Sequence, residues 1–229
     1  MTAVLTVVRP RSAWASVLLG LVLVAAWDAS GLDLPLARLA GDLHGFPLRD
    51  HWLFTTVLHA GGKAVAWAVL TWLLLGIRWP SGVLLSLPVV RRVWLAAATL
   101  GAMLLVTLLK HGSTSSCPWD MVEFGGLAHW GPHWFWWRHD GGPGQCFPAG
   151  HASAGFAWVA GYFAFRDLRP GLARAWLAIA LTAGTLLALG QQVRGAHFAS
   201  HSLWTAWLCW AWAWACSGWL RPGAVVRLA

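Results

Sequence analysis

The sequence has little charge: only 10% of its residues are Asp, Glu, Lys or Arg, whereas 58% are hydrophobic. Soluble domains carry about 25% charged residues, so this balance excludes an ordinary soluble domain. The four cysteines include no CxxC pair, which excludes a zinc or redox motif of that type. What the chain does contain is a series of long apolar segments.

Several of these segments approach ~20 residues, the length that a helix needs to cross a bilayer. We therefore predict an all-α protein, a polytopic bundle of six transmembrane helices that forms a single domain over residues 1–229. The first span is expected to be a retained helix rather than a cleaved signal peptide. The expected spans are residues 13–27, 52–77, 93–109, 148–165, 172–190 and 202–220.

Two connections between the spans have features of their own. Asp33 is a suitable N-cap, and Pro35 falls in the first turn after it, which predicts a short helix lying in the membrane interface. Residues 111–147 form the only long hydrophilic connection and hold four of the ten histidines. Loops of this length inside a compact domain are usually functional or disordered.

The formal charge of +8 and the twenty tryptophans raise the question of a nucleic-acid partner. The basic residues lie at the ends of the apolar segments, however, as the positive-inside rule describes, so no nucleic acid is expected. More of them lie on the side of the two termini, which predicts cytoplasmic termini, an inner-membrane location and an outer face for residues 111–147. The terminal ones are Arg9, Arg11, Arg221 and Arg227.

Three segments bring cationic and imidazole side chains to that outer end. They contain Lys110, then His151, then Arg194 with His197 and His201. If residues 191–205 are helical, His197 and His201 lie four residues apart on one face and point into one pocket. Ionisable groups at the end of an apolar segment are costly, which makes a functional site the first hypothesis.

Such a set of side chains suits a phosphate group. Cations bind the nonbridging oxygens, one histidine can attack phosphorus, and another can protonate the leaving oxygen. Lys63, in the second span, has two interpretations: its ammonium group snorkels to the interface, or it faces inward and binds the anion.

In these motifs the chain resembles the type 2 phosphatidic acid phosphatase family. The family pattern is a lysine followed at seven by Arg-Pro, then Pro-Ser-Gly-His, then Ser-Arg with a histidine six after the arginine and an aspartate four further on. Here Lys110 is followed at seven by Cys117 and a proline, then comes Pro-Ala-Gly-His ending at His151, and finally His197 and His201. The order of the motifs matches that of the family.

Four positions depart from the pattern. Cys117 and Gln191 replace the two arginines, Ala149 replaces the serine, and His201 replaces the aspartate. Arg194 lies three residues after Gln191, close enough on a helix for its guanidinium group to reach the same phosphate.

The resemblance implies a membrane lipid phosphatase that hydrolyses a lipid phosphomonoester or diphosphate at the outer leaflet. His197 would be the nucleophile that forms a phosphohistidine, and His151 the acid. Lys110, with Gly150, would bind the phosphate. His201 would accept a hydrogen bond from His197, with Asp120 or Glu123 as other sources of the missing negative charge.

The resemblance implies no metal and no cofactor, and the expected partners are a lipid phosphate substrate and membrane lipids. The oligomeric state stays open. Three alternatives also remain: a lipid phosphotransferase, a metal-dependent enzyme with His197, His201 and His151 as ligands, and a non-catalytic protein that binds or transports lipid phosphates.

Cys117 and Cys146 flank these motifs on the outer, oxidising side, where a disulfide would tie the first motif to the second. Two unpaired loop thiols are the alternative. Cys209 and Cys216 lie in the sixth span and are expected to be packing residues.

Overall fold

The structure of the chain is a computed structural model that describes residues 12–220, which fold into helices joined by loops. A π-helical segment runs directly into α3, and α5 and α6 are joined by a single 3₁₀ turn. The α-helices are α1 (Ser12–Ser30), α2 (Asp33–Ala37), α3 (Gly62–Arg78), α4 (Val89–Gly112), α5 (Gly150–Phe156), α6 (Ala160–Phe165), α7 (Pro170–Val193) and α8 (Ala199–Cys216). The π-helix is Leu53–Gly61, and the 3₁₀ turns are Gly82–Ser86, Pro118–Asp120, Val122–Phe124, Ala157–Val159 and Ser217–Leu220.

Three of these helical segments are long and apolar enough to cross a membrane, which indicates a membrane protein. Large apolar side chains such as Leu104 and Ile179 point outward from them, with 57% and 69% of their surface exposed. The six-span prediction is thus met for three segments only. By the same measure α1, the α5–α6 unit and α8 are too short or too polar. The three candidate spans are Leu53–Ser86, Val89–Gly112 and Pro170–Val193.

The α5–α6 unit is the most buried part of the bundle. It packs against α4, α7 and α8, and most of residues 150–165 are buried while none is exposed. A side chain at Gly155 would lie 2.3 Å from the backbone nitrogen of Gly184, so glycine is required where α5 meets α7. Small residues at such crossings let helix backbones approach closely, as is common in membrane bundles. The Pro-Ala-Gly-His motif that ends at His151 therefore lies at the start of a helix that other helices contact on several sides.

Several tryptophans join one helix to another through the indole N–H. Trp207 on α8 donates to the carbonyl of Val17 on α1 at 2.9 Å, and Trp212 on α8 donates to Ala98 on α4 at 3.0 Å. Trp176 on α7 donates to Trp158 at 2.8 Å. A buried indole needs a partner for its N–H, so these rings fix helix contacts as well as filling space.

The short helix predicted after Asp33 is present as α2, but Asp33 does not cap it. The carboxylate of Asp33 instead accepts hydrogen bonds from the backbone N–H and the hydroxyl of Ser200, at the start of α8. It also accepts one from Trp27 at 2.9 Å. Because unpaired N–H groups at a helix start need acceptors, Asp33 acts on α8 rather than on its own helix.

The long connection predicted at residues 111–147 runs from the end of α4 to the start of α5, with two short 3₁₀ turns. It lies at the end of the bundle that holds the start of α3, the end of α4 and the α7–α8 connection. The terminal arginines used for the charge count, Arg9, Arg11, Arg221 and Arg227, lie outside the described residues.

Candidate active site

A cavity of about 630 Å³ opens at this end of the bundle, between α3, α4, α5 and the α7–α8 connection. Five of the residues predicted to be catalytic or to bind phosphate line it: Lys63, Lys110, Gly150, His151 and His197. The two lysines are the cations that could bind a phosphate there. No carboxylate lines the cavity among residues 12–220, so its ionised side chains favour an anion.

Lys110 belongs to the last turn of α4, and its Nζ donates to the backbone carbonyl of Gln145 at 2.5 Å. Its side chain passes over the start of α5, where a Cβ on Gly150 would lie 3.1 Å from the lysine Cδ. Glycine at this position therefore leaves room for the lysine. The first turn of α5 also has backbone N–H groups without intrahelical partners, which suit an anion beside the ammonium group.

His151 stacks on His59, with ring centroids 4.3 Å apart. Its Nε2 lies 3.3 Å from the backbone carbonyl of Leu58, and because a carbonyl only accepts, Nε2 carries the proton in this contact. His59 lies in the π-helix, a type of helix often found at functional sites. His59 was not among the residues predicted from the sequence, although its spacing of four from Lys63 places both on one helix face.

His197 does not lie on a helix, contrary to expectation. α7 ends at Val193, Gly195 adopts a left-handed conformation with φ of 75°, and α8 begins at Ala199. A Cβ on Gly195 would lie 2.2 Å from the ring of Phe46, so both the dihedral angle and the packing require glycine. The turn places His197 in an extended connection that lines the cavity.

Cys117 and Cys146, the pair expected from the sequence, form a disulfide. The sulfur of Cys146 lies 3.4 Å from Nδ1 of His197. A disulfide sulfur has no proton, so any hydrogen bond here is donated by His197 Nδ1–H. In this tautomer the free lone pair is on Nε2. The disulfide contacts the opposite edge of the ring, at Nδ1.

The metal hypothesis can be tested against these donor atoms. That hypothesis named His197, His201 and His151 as ligands. Among the described residues, the ligand atoms that come within 4.8 Å of one another are those of Cys146, His197 and His201, and His151 does not belong to this group. Because Cys146 is oxidised to a disulfide, its sulfur is not a thiolate, and only two imidazoles remain. Protein zinc sites have three or four protein ligands. The donor set therefore does not fit a zinc ion while the disulfide is intact.

His201 occupies the first turn of α8, is 2% exposed, and does not line the cavity that His197 lines. The two rings meet edge to face with centroids 5.8 Å apart. The expectation that both imidazoles point into one pocket is therefore not met, because a helix start separates them. His201 instead borders a second, smaller cavity on its other side.

Arg194 is the other residue that the structure places differently. It does not line the cavity. Its Nε donates to the carbonyl of Arg49 at 2.7 Å, and one terminal nitrogen lies 3.4 Å from the Gln191 amide oxygen. Gln191 does line the cavity and is 3% exposed. Arg194 would have to leave both partners to reach a phosphate.

Asp120 and Glu123 are not the missing carboxylate of the cavity. Asp120 accepts a hydrogen bond from the backbone N–H of Cys117 at 3.2 Å and so closes a loop turn. Burial raises the pKa of Asp120. Neither residue lines the cavity that holds His197, so neither lies where the resemblance placed it as a source of negative charge.

Burial, assisted by the positive charge of Lys110, lowers the pKa of His197 to about 3. The pKa of an unfolded histidine is about 6.5, so between these values the unfolded chain binds a proton that folded His197 does not. Stability therefore falls as the pH drops below 6.5, by at most about 1.4 kcal/mol per pH unit from this group. We expect the thermal midpoint in detergent to fall between pH 6.5 and 4, and less steeply for His197→Asn. If the thermal midpoints of the two proteins fall equally with pH, the lowered pKa of His197 is contradicted.

Comparison with known proteins adds one finding. The model of the PAP2 superfamily matches residues 91–222. Searches of curated proteins and of solved structures return no match. The matched range contains Lys110, His151 and His197, whereas α1, the π-helix and α3 lie before it.

Proposed function

The chain belongs to the PAP2 superfamily, and from this premise we propose that it hydrolyses a lipid phosphomonoester or diphosphate through a phosphohistidine on His197. Membership of the superfamily implies phosphatase activity. The lipid substrate, the covalent intermediate and the membrane face go beyond that membership and belong to this proposal.

The observation that carries the lipid assignment is the division of the 630 Å³ cavity into two ends. One end holds Lys63, Lys110, His151 and His197. The other is a cleft between α3 and α4 with an apolar lining. An anionic head group suits the first end and a hydrocarbon chain the second. The residues of the cleft are Ala66, Trp67, Leu70, Leu100, Met103 and Leu104.

The proposed chemistry has two steps. In the first, the neutral ring of His197 attacks phosphorus through Nε2, the bond from phosphorus to the leaving oxygen breaks, and His151 protonates that oxygen. In the second, His151 takes a proton from water, the water oxygen attacks phosphorus, and the bond to His197 breaks. Inorganic phosphate and the dephosphorylated lipid are the products, and the enzyme returns to its starting state.

The cations support this scheme. Lys63 and Lys110 would bind the nonbridging oxygens and stabilise the charge of the transition state, which a water-poor cleft strengthens. A bound phosphate dianion would also favour protonated His151, because opposite charges nearby favour the charged form of a histidine. The bound substrate would thus help to keep His151 protonated, as its role as the acid requires.

For the membrane arrangement we propose that α1, the α5–α6 unit and α8 also cross, which gives six spans. The positive-inside rule then places the termini in the cytoplasm and the active site on the outer face of the inner membrane. The disulfide supports that face, because disulfides persist in oxidising compartments.

The test is phosphate release by the purified protein in detergent from long-chain phosphatidate and from glycerol 3-phosphate, the same head group without chains. We expect kcat/KM on the order of 100-fold or more in favour of the lipid, since each buried methylene adds apolar stabilisation. Equal values would remove the lipid assignment and leave a phosphatase. Transfer of phosphate to an added lipid alcohol without release would favour a phosphotransferase, and inactivity on both would favour a binding protein.

A further inference from the structure

The family pattern has an aspartate where this chain has His201, and no carboxylate lines the cavity of His197 among the described residues. A phosphohistidine that forms on a neutral ring carries positive charge, and neutral His201 stabilises that charge less than a carboxylate does. The structure should therefore contain a carboxylate behind His201 if the site is active.

Such a carboxylate is present on α1. His201, His133 and Asp28 line the same small cavity, about 70 Å³, on the side of His201 away from the substrate cavity. His133 and His201 meet edge to face with centroids 5.7 Å apart. Nε2 of His133 lies 3.3 Å from Oδ2 of Asp28. This is an ion-pair distance, and Nε2 of His133 makes no hydrogen bond of normal geometry with the described residues.

Asp28 is held by more than one contact. Its Oδ2 also accepts hydrogen bonds from the indole N–H of Trp204 at 2.9 Å and of Trp134 at 3.0 Å. His133 stacks on Phe147 with centroids 3.9 Å apart, and is 8% exposed. Both side chains are thus fixed in position by α8 and by the long loop, as a group that orients others must be.

His201 supplies an independent observation. It is 2% exposed, and its Nδ1 has no hydrogen-bond partner among the described residues. An unpaired buried nitrogen costs free energy, and such groups in native proteins often have a catalytic role. Since Nδ1 of His197 faces the sulfur of Cys146, His201 acts on the charged His197 ring through their edge-to-face contact and not through a direct hydrogen bond.

We propose that Asp28 and His133 are positioning residues that replace the missing aspartate: they orient His201 and provide the negative charge that stabilises cationic, phosphorylated His197. The sequence of contacts runs from Asp28 to His133, to His201, to His197. This inference rests on the proposed function. The family pattern does not contain it, because Asp28 lies outside the matched residues 91–222.

The test is a double-mutant cycle with Asp28→Asn and His201→Asp, measured as the rate of His197 phosphorylation in single turnovers. Asp28→Asn should lower the rate by about 10- to 100-fold, the range found when the partner that orients a metal-ligating histidine is removed, with KM nearly unchanged. His201→Asp restores the family's carboxylate and is expected to retain or raise activity. In that background Asp28→Asn should cost less than about threefold.

The matched control is Asp140→Asn, which changes another carboxylate of the same small cavity. Asp140 bonds the backbone N–H and hydroxyl of Ser116 and the N–H of Gly142, so its loss affects the loop and not the His201 contacts. Equal rate losses for Asp28→Asn in both backgrounds, or an equal loss for Asp140→Asn, would mean that the role of Asp28 is only structural. Either result overturns the proposal.

A second readout separates this inference from the proposed function. Protein labelled with ¹⁵N-histidine reports the tautomer of His201 whether or not a lipid is hydrolysed. Asp28→Asn should change the ring nitrogen shifts of His201, and Asp140→Asn should not. Unchanged His201 shifts in Asp28→Asn would overturn the positioning role even in an active enzyme, whereas an inactive wild type with changed shifts would overturn the function alone.

Discussion

Replacement of His197 by asparagine is expected to lower phosphate release by at least about 10⁴-fold, because removal of a nucleophile abolishes the covalent route. Asparagine is close to histidine in size and polarity and can keep a contact with the sulfur of Cys146, 3.4 Å from Nδ1 in the wild type. The bundle should therefore remain folded. The measurement is released phosphate together with acid-labile, radiolabelled phosphate on the quenched protein.

The control is His129→Asn, a histidine in the long loop that is exposed and does not line the cavity. That protein should keep wild-type turnover and retain the labelled phosphate. If His197→Asn still accumulates acid-labile phosphate, the nucleophile is another histidine, and His59 or His151 in the same cavity would be examined next.

Replacement of His151 by glutamine should reduce kcat on a lipid phosphate by about 10²- to 10⁴-fold, the usual contribution of general acid catalysis. The size of the loss should depend on the leaving group. A lipid alkoxide needs a proton as it leaves, whereas nitrophenolate is stable without one. With p-nitrophenyl phosphate, formation of the phosphohistidine should therefore slow by less than about tenfold.

Hydrolysis of the phosphohistidine, the second step, gives a further kinetic test of His151. Because His151 also activates water, the variant should release about one nitrophenol per chain in a burst and then turn over slowly. His151 stacks on His59 and bonds to Leu58, so the folded state of the variant must be checked by its thermal midpoint. An equal loss on both substrates without a burst would contradict the acid–base role and leave His151 as a packing residue.

The helices were largely predictable because apolar length is a local property. The segments predicted at 52–77, 93–109 and 172–190 correspond to Leu53–Ser86, Val89–Gly112 and Pro170–Val193. The remaining three were placed correctly along the chain but do not reach the length and hydropathy of a span. In α8 the polar residues at its start, Ser200, His201 and Ser202, lower its mean hydropathy.

The site was predictable in part. Lys110, His151 and His197 were selected from motif order, and all three line one cavity. His59 was missed although its spacing from Lys63 gave a local signal. The shared pocket of His197 and His201 was wrongly expected because both were assumed to lie on one helix, whereas α8 begins only at Ala199 and leaves His197 in the connection before it.

By itself the sequence determined that this is an all-helical, membrane-type chain and selected Lys110, His151 and His197, which line one cavity, since composition, apolar length and motif spacing can be read along the chain. Only the tertiary structure decided that His201 lies behind His197, that Arg194 is bonded outside the cavity, and that Asp28 reaches His133 from α1. These contacts join residues far apart in sequence, and they depend on how helix ends and loops pack, which no local pattern specifies.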